Sequence, residues 1–90
     1  MTATDAIRLK RLLFRSRHRG TKESDLVFGA FANRYLETFS PGQLDAYERL
    51  LEQEDADLWD WLVGAAAPPP EHDTDVLGLL RQFRLPEVMP

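Results

Sequence analysis

Residues 40–51 read SPGQLDAYERLL, and they carry the clearest helix signal in the chain. Ser40 is a candidate N-cap, Pro41 suits the first helical position, and Gln43 completes a capping box because its side chain can reach back to the Ser40 amide. Apolar residues then recur at three- and four-residue spacing, which predicts a buried side made of Leu44, Tyr47, Leu50 and Leu51. The stretch therefore predicts an amphipathic helix.

Two further helices are predicted before this stretch. The first spans about residues 4–17 and has a broad apolar face formed by Ile7, Leu9, Leu12, Leu13 and Phe14. The second spans about residues 22–38, with a stripe of Phe28, Phe31, Ala32, Tyr35 and Phe39. Gly20 lies between the two helices, where a positive φ is wanted and glycine adopts it at little cost.

Two more helices are predicted after it. The fourth begins at Asp55 or Asp57, either of which can cap it, and ends at Gly64; it turns Leu58, Trp61 and Leu62 inward and leaves Trp59 partly exposed. Residues 65–70 include three consecutive prolines and form a stiff linker, beside which His72 is expected to be an exposed loop residue. The fifth helix spans about residues 73–84 and buries Val76, Leu79, Leu80 and Phe83.

None of these segments alternates with the period of a β-strand. We therefore predict an all-α fold, a compact five-helix bundle in a single domain over residues 1–84. Residues 85–90 contain two prolines and are expected to form a flexible C-terminal tail.

Composition argues against an enzyme. The 90 residues include no cysteine, which excludes thiol catalysis and cysteine-based metal sites, and His18 and His72 lack the spacing of a two-histidine metal site. The glycines form no phosphate-binding loop, and no apolar run approaches the roughly 18–20 residues that cross a bilayer. The polar first residues are unlike a targeting peptide. We expect no catalytic residue, no metal site and no bound cofactor, and a cytoplasmic, bacterial protein that is a monomer.

Charge is distributed unevenly along the chain. Residues 1–22 carry seven Lys/Arg against one acid, and residues 23–90 carry four against fourteen, so the net charge of −4 combines a basic start with an acidic remainder. The cations are densest in residues 15–23, RSRHRGTKE. This layout favours electrostatic docking at the basic end. On the alternative interpretation, the cations complement the C-terminal dipole of the first helix, and Arg19 forms a local ion pair with Glu23.

Two motifs together resemble a known family. Arg19, Gly20 and Glu23 form an R-G-x-x-E motif between the first two helices, and residues 55–62 read DADLWDWL. Over about residues 7–84 the chain is similar to the SdhE-type FAD assembly factors, called succinate dehydrogenase assembly factor 2 in mitochondria. The proline-rich loop at residues 65–71 departs from the family pattern, and this bears on the placement of the fifth helix.

The resemblance implies an assembly factor with no enzymatic activity and no cofactor of its own. Its partner would be the flavoprotein subunit of succinate dehydrogenase, or of fumarate reductase in some bacteria, in which it promotes covalent attachment of FAD. It would assist a membrane complex without having a membrane segment. The resemblance implies a client-facing surface made of Arg19, Gly20 and Glu23, with the neighbouring Arg15, Arg17 and His18. Glu23 would either hold the Arg19 guanidinium or accept a bond from the client.

Two other functions fit parts of the sequence. A nucleic-acid-binding module would use the cations of the first helix and the following turn, but the overall acidity and the missing recognition-helix pattern argue against it, so no nucleic-acid partner is expected. A structural or dimerising bundle would use the aromatic residues only as core. The molecules that co-purify with the chain distinguish these possibilities.

Overall fold

Five α-helices follow one another along residues 3–83, the part of the chain that the computed structural model describes. They are α1 (Ala3–Arg17), α2 (Lys22–Tyr35), α3 (Pro41–Leu51), α4 (Asp55–Val63) and α5 (Asp75–Gln82). One-turn 3₁₀ helices at Leu36–Thr38 and Pro70–His72 complete the described part, which contains no strand. The predicted all-α fold of five helices is confirmed. The predicted tail at residues 85–90 lies outside the described residues.

Capping residues mark where several of the helices begin or end. The capping box is confirmed, because Ser40 Oγ accepts a hydrogen bond from the Gln43 amide at 3.2 Å and Gln43 Oε1 accepts one from the Ser40 amide at 2.9 Å. Thr74 caps α5, which therefore begins two residues later than predicted. Gly64 ends α4 with a φ of 80°, as predicted. The predicted aspartate cap of α4 is wrong, because Glu54 occupies the N-cap position without a side-chain hydrogen bond.

One apolar cluster connects all five helices. The predicted inner residues of α3 and α4 are buried. In α5 the prediction is only partly confirmed: Val76 and Leu80 are buried, Leu79 and Phe83 are half-buried, and Leu77, which was not predicted, is buried. Aromatic rings fill its centre: the Phe31 ring lies 5.6 Å from the Tyr47 ring and meets Phe83 edge-on at 5.7 Å. Such tilted and edge-on pairs are the arrangements that aromatic quadrupoles favour.

The broad apolar face predicted for α1 is only partly confirmed. Leu12 is buried, while Ile7 and Phe14 expose 58% and 63% of their surface. A residue two positions away from Leu12 projects about 200° around the helix, so Phe14 points away from the core. Hence α1 packs through a narrower stripe than its composition indicates.

His72 is buried, so its prediction as an exposed loop residue is wrong. The 3₁₀ turn at Pro70–His72 folds the imidazole against Trp61, with the ring centroids 5.5 Å apart and the planes nearly parallel. Trp61 is buried and Trp59 half-buried, as predicted.

A buried polar contact joins the end of α1 to α3. The Ser16 hydroxyl donates to the Leu12 carbonyl at 2.7 Å, which leaves its oxygen to accept from the Tyr47 hydroxyl at 2.6 Å. Burial raises the pKa of Tyr47 well above its ordinary value, and the charges of Arg19 and Arg15 offset this only in part. The phenol is therefore held neutral.

This contact predicts a loss of stability at alkaline pH. Since the folded-state pKa of Tyr47 is raised and the unfolded chain keeps the ordinary value of about 10, the folded state binds the phenolic proton more tightly. The stabilisation that this proton contributes is fully present below about pH 10. Above that pH, the free energy of unfolding falls by up to about 1.4 kcal/mol per pH unit. Urea unfolding at increasing pH measures this slope.

Tyr47→Phe should flatten the alkaline slope. At neutral pH it should lower the free energy of unfolding by about 1 kcal/mol, because Ser16 Oγ loses its donor. Tyr35→Phe also removes a phenolic hydroxyl, but from a half-buried ring, and is the matched control. A Tyr47→Phe variant with the wild-type alkaline slope would contradict this role of the buried phenol.

Candidate functional site

The turn between α1 and α2 depends on glycine at position 20. α1 ends at Arg17 and α2 begins at Lys22, so residues 18–21 connect them. Gly20 has a φ of +131°, a backbone angle that residues with a side chain rarely adopt. The predicted positive φ is confirmed. A Cβ at this position would also lie 3.2 Å from Oδ2 of Asp55. The turn therefore lies directly against the start of α4.

The Arg19 side chain ties this turn to the α3–α4 connection. Its Nε donates to Asp55 Oδ1 at 2.8 Å, and its two terminal nitrogens donate to the backbone carbonyls of Leu51 and, at 2.8 Å, Gln53. The guanidinium also lies over the Phe28 ring, 5.5 Å from its centroid. Only 7% of the side chain is exposed. Arg19 is thus a buried brace between two connections of the fold.

Asp25 closes the same turn from the side of α2. Its carboxylate accepts hydrogen bonds from the backbone amides of Arg19 and, at 3.3 Å, Gly20. Its own amide donates to the Thr21 carbonyl at 2.9 Å, and Thr21 Oγ1 accepts from the Ser24 amide as the cap of α2. The backbone of the turn is consequently fixed by bonds on both sides.

The structure separates the two charged residues of the R-G-x-x-E motif. Arg19 is turned inward to Asp55, whereas Glu23 is exposed and has no ion pair within residues 3–83. The prediction of a local ion pair between Arg19 and Glu23 is wrong, and Glu23 does not hold the Arg19 guanidinium. In the free chain, the guanidinium of Arg19 is therefore turned into the fold and away from solvent. Gly20 and Glu23 remain on the surface.

The other three predicted site residues border the turn. Arg17 donates to Asn33 Oδ1 at 3.0 Å, beside Gly29, where α1 and α2 approach closely. His18 is exposed, stacks on the Phe14 ring at 4.1 Å and donates through Nδ1 to the Phe14 carbonyl at 2.8 Å. Arg15 is half-buried at the end of α1. Together they form a basic margin along one side of the turn.

A groove beside the turn was not predicted from the sequence. It has a volume of about 440 Å³ and lies between the starts of α2 and α4. Glu23 lines it from α2, and Asp55, Ala56, Trp59 and Asp60 line it from α4. The two motifs that carried the resemblance therefore form one surface. The joint occurrence of the two motifs was the only sign in the sequence that they form one surface. No local pattern shows that Arg19 and Asp55, which are 36 positions apart, are in contact.

Within residues 3–83, His, Asp and Glu side chains form no cluster of three suited to hold a metal ion. In the same range, no helix is long and apolar enough to cross a membrane. The turn is exposed at Gly20, and a groove with charged lining lies beside it. The fold and the site together define a small all-helical protein with a braced, exposed turn.

Comparison with known proteins identifies the family. Residues 10–84 match the Sdh5 family, described as flavinator of succinate dehydrogenase. The chain belongs to this family, and the resemblance inferred from the sequence is confirmed.

Similar proteins are named succinate dehydrogenase assembly factor 2, mitochondrial. The one from Drosophila grimshawi is 35% identical, over 91% of this chain and 64% of its own. The one from Drosophila virilis is 38% identical, over 86% and 50%, and the one from Dictyostelium discoideum is 39% identical, over 80% and 51%. The chain thus spans between half and two-thirds of the length of these relatives.

The Arg19 brace predicts a stability effect that an ordinary surface arginine lacks. Arg19→Met should lower the free energy of unfolding by about 3 kcal/mol, since it leaves the partly buried Asp55 carboxylate unpaired. Arg49→Met is the matched control at an exposed position of α3 and should change stability by less than about 0.5 kcal/mol. Urea unfolding measures both. Equal stability of the two variants would show that Arg19 does not brace the turn.

Proposed function

We propose that this chain is an assembly factor that binds the flavoprotein subunit of succinate dehydrogenase and promotes covalent attachment of FAD to it. Membership of the Sdh5 family and the names of the similar proteins support this function. On this proposal the chain is not an enzyme and FAD belongs to the client, so the chain needs neither a nucleophile nor a cofactor site. The flavoprotein of fumarate reductase is a second client of the same kind.

The observation that carries the proposal is the inward position of Arg19. Because its donors are engaged by Asp55 and the carbonyls of Leu51 and Gln53, the turn is held in one shape before any partner arrives. A preformed surface loses less conformational entropy on binding than a mobile loop does. The chain therefore acts by presenting a fixed shape to its client.

We assign different roles to the residues of the turn. Gly20 has no side chain, so the turn can lie directly against Asp55 while its backbone stays exposed to a client. Glu23 is exposed and can accept a charge-assisted hydrogen bond from the client. Arg15, Arg17 and His18 form a basic margin that attracts acidic groups. Arg19 positions the others and does not itself reach the client.

The structure weakens the nucleic-acid alternative. Two of the cations proposed to contact phosphates are paired with carboxylates inside the chain: Arg8 with Asp45 and Glu48, and Arg19 with Asp55. The hydrogen bond that Arg8 donates to the Asp45 carboxylate raises the pKa of Arg8 above its ordinary value, which reflects this pairing. Fewer free cations mean fewer released counterions and weaker phosphate binding.

The cellular location is part of the proposal. The similar proteins are named mitochondrial. We propose a cytoplasmic location in a bacterium and a monomeric state for this chain. The absence of cysteine is compatible with a reducing compartment. Cell fractionation and the mass of the purified protein in solution test these two statements.

Deletion of the gene tests the function directly. Without this chain, the flavoprotein subunit should lose most of its in-gel fluorescence from covalently bound flavin, and the wild-type gene should restore it. A flavin band of unchanged intensity in the deletion strain would refute the proposed function. The amount of flavoprotein is checked on the same gel by staining for protein.

Glu23→Gln tests the turn without disturbing the fold. The substitution removes one exposed charge, so the melting temperature should stay near the wild-type value while the restored flavin band becomes much weaker. Glu37→Gln, an exposed carboxylate outside the turn, is the control and should restore the full band. Full activity of Glu23→Gln would remove Glu23 from the docking surface. Gly20 is less suitable, because any side chain at a φ of +131° strains the backbone.

A further inference from the structure

The groove beside the turn carries two carboxylates that the fold does not neutralise. Glu23 at the start of α2 and Asp60 on α4 are both exposed, and neither has an ion pair within residues 3–83. Asp55 also lines the groove, but it is paired with Arg19. Arg19 does not line this groove, and neither does Lys22, the neighbour of Glu23. The lining of the groove is therefore negatively charged.

An indole ring lies among these charges. Trp59 is half-buried and packs against the core, yet it also lines the groove. The adjacent Ala56 is small and exposed, which leaves space over this part of α4. An aromatic face attracts a cation through its quadrupole, and the attraction adds to that of nearby carboxylates. The lining thus combines the two kinds of group that bind a flat cation.

We propose that this groove receives an arginine side chain of the flavoprotein client. This inference rests on the proposed function and specifies which group of the client is recognised. A guanidinium suits the groove better than an ammonium does, because its planar face stacks on an indole while its edge donates to carboxylates. The methylene stem of the arginine would pack on Ala56 and Trp59. A phosphate or a carboxylate would be repelled by Glu23 and Asp60.

The proposal gives the second motif a role in binding. Asp55 braces the turn through Arg19, and the next turn of the same helix brings Trp59 and Asp60 to the groove. α4 would therefore support the docking surface and also contribute to it. The basic margin at the end of α1 would meet acidic groups of the client, so the basic margin and the acidic groove would together fix the orientation of docking.

The test compares two aspartates on the same helix. Asp60→Asn removes a charge from the groove, and Asp57→Asn removes an exposed charge three residues earlier that does not line it. Titration calorimetry with the purified flavoprotein subunit should show affinity about tenfold lower for Asp60→Asn, and affinity within about twofold of wild type for Asp57→Asn. Circular dichroism checks that both variants keep the wild-type melting temperature.

A second measurement identifies the group on the client. Phenylglyoxal blocks guanidinium groups, so flavoprotein treated with it should bind the wild-type chain and Asp60→Asn equally. A persisting difference would exclude arginine as the occupant. Equal affinity of Asp60→Asn, Asp57→Asn and the wild type for untreated flavoprotein would overturn the groove proposal alone. If the wild-type chain does not bind the flavoprotein at all, the proposed function fails instead.

Discussion

The buried contact of Arg19 with the α3–α4 connection is the interaction on which the proposed docking surface depends. Without it, residues 18–21 would be held only from the side of α2, by Asp25 and the Thr21 cap, and the partly buried carboxylate of Asp55 would have no counter-charge. A buried ion pair adds little net stability compared with a well-packed apolar pair, but it is costly to break from one side. It also has a definite geometry, because a guanidinium donates in fixed directions. The pair therefore determines the shape of the turn.

This arrangement separates the charges that build the fold from those left for a partner. Arg8 joins α1 to α3 through Asp45 and Glu48, and Arg19 joins the first turn to α4. Glu23 and Asp60 remain exposed at the groove, and His18 is exposed next to the end of α1. A charge count along the sequence cannot make this distinction, since it treats braced and free cations alike. The uneven charge of the chain thus reflects internal bracing as well as docking.

The sequence predicted the helices well because their signals are local. The capping box at Ser40 and the cap at Gly64 each depend on residues within a few positions, and both were confirmed. The failures came from contacts between distant segments. Arg19 binds Asp55 rather than the nearby Glu23, and His72 is buried because the 3₁₀ turn places it against Trp61. Periodicity also overestimated the buried face of α1, since it does not show how much of a helix its neighbours cover.

Amide hydrogen exchange, followed with and without the purified flavoprotein subunit, tests the central claim most directly. If the turn is a preformed docking surface, the amides of Arg19 and Gly20 should exchange slowly in the free chain, because Asp25 accepts from both. On binding, protection should increase over residues 18–24 and 55–60, while the amides of α5, none of whose residues lines the groove, keep their rate. Rapid exchange of the turn in the free chain, or binding that leaves residues 18–24 unprotected, would contradict the account.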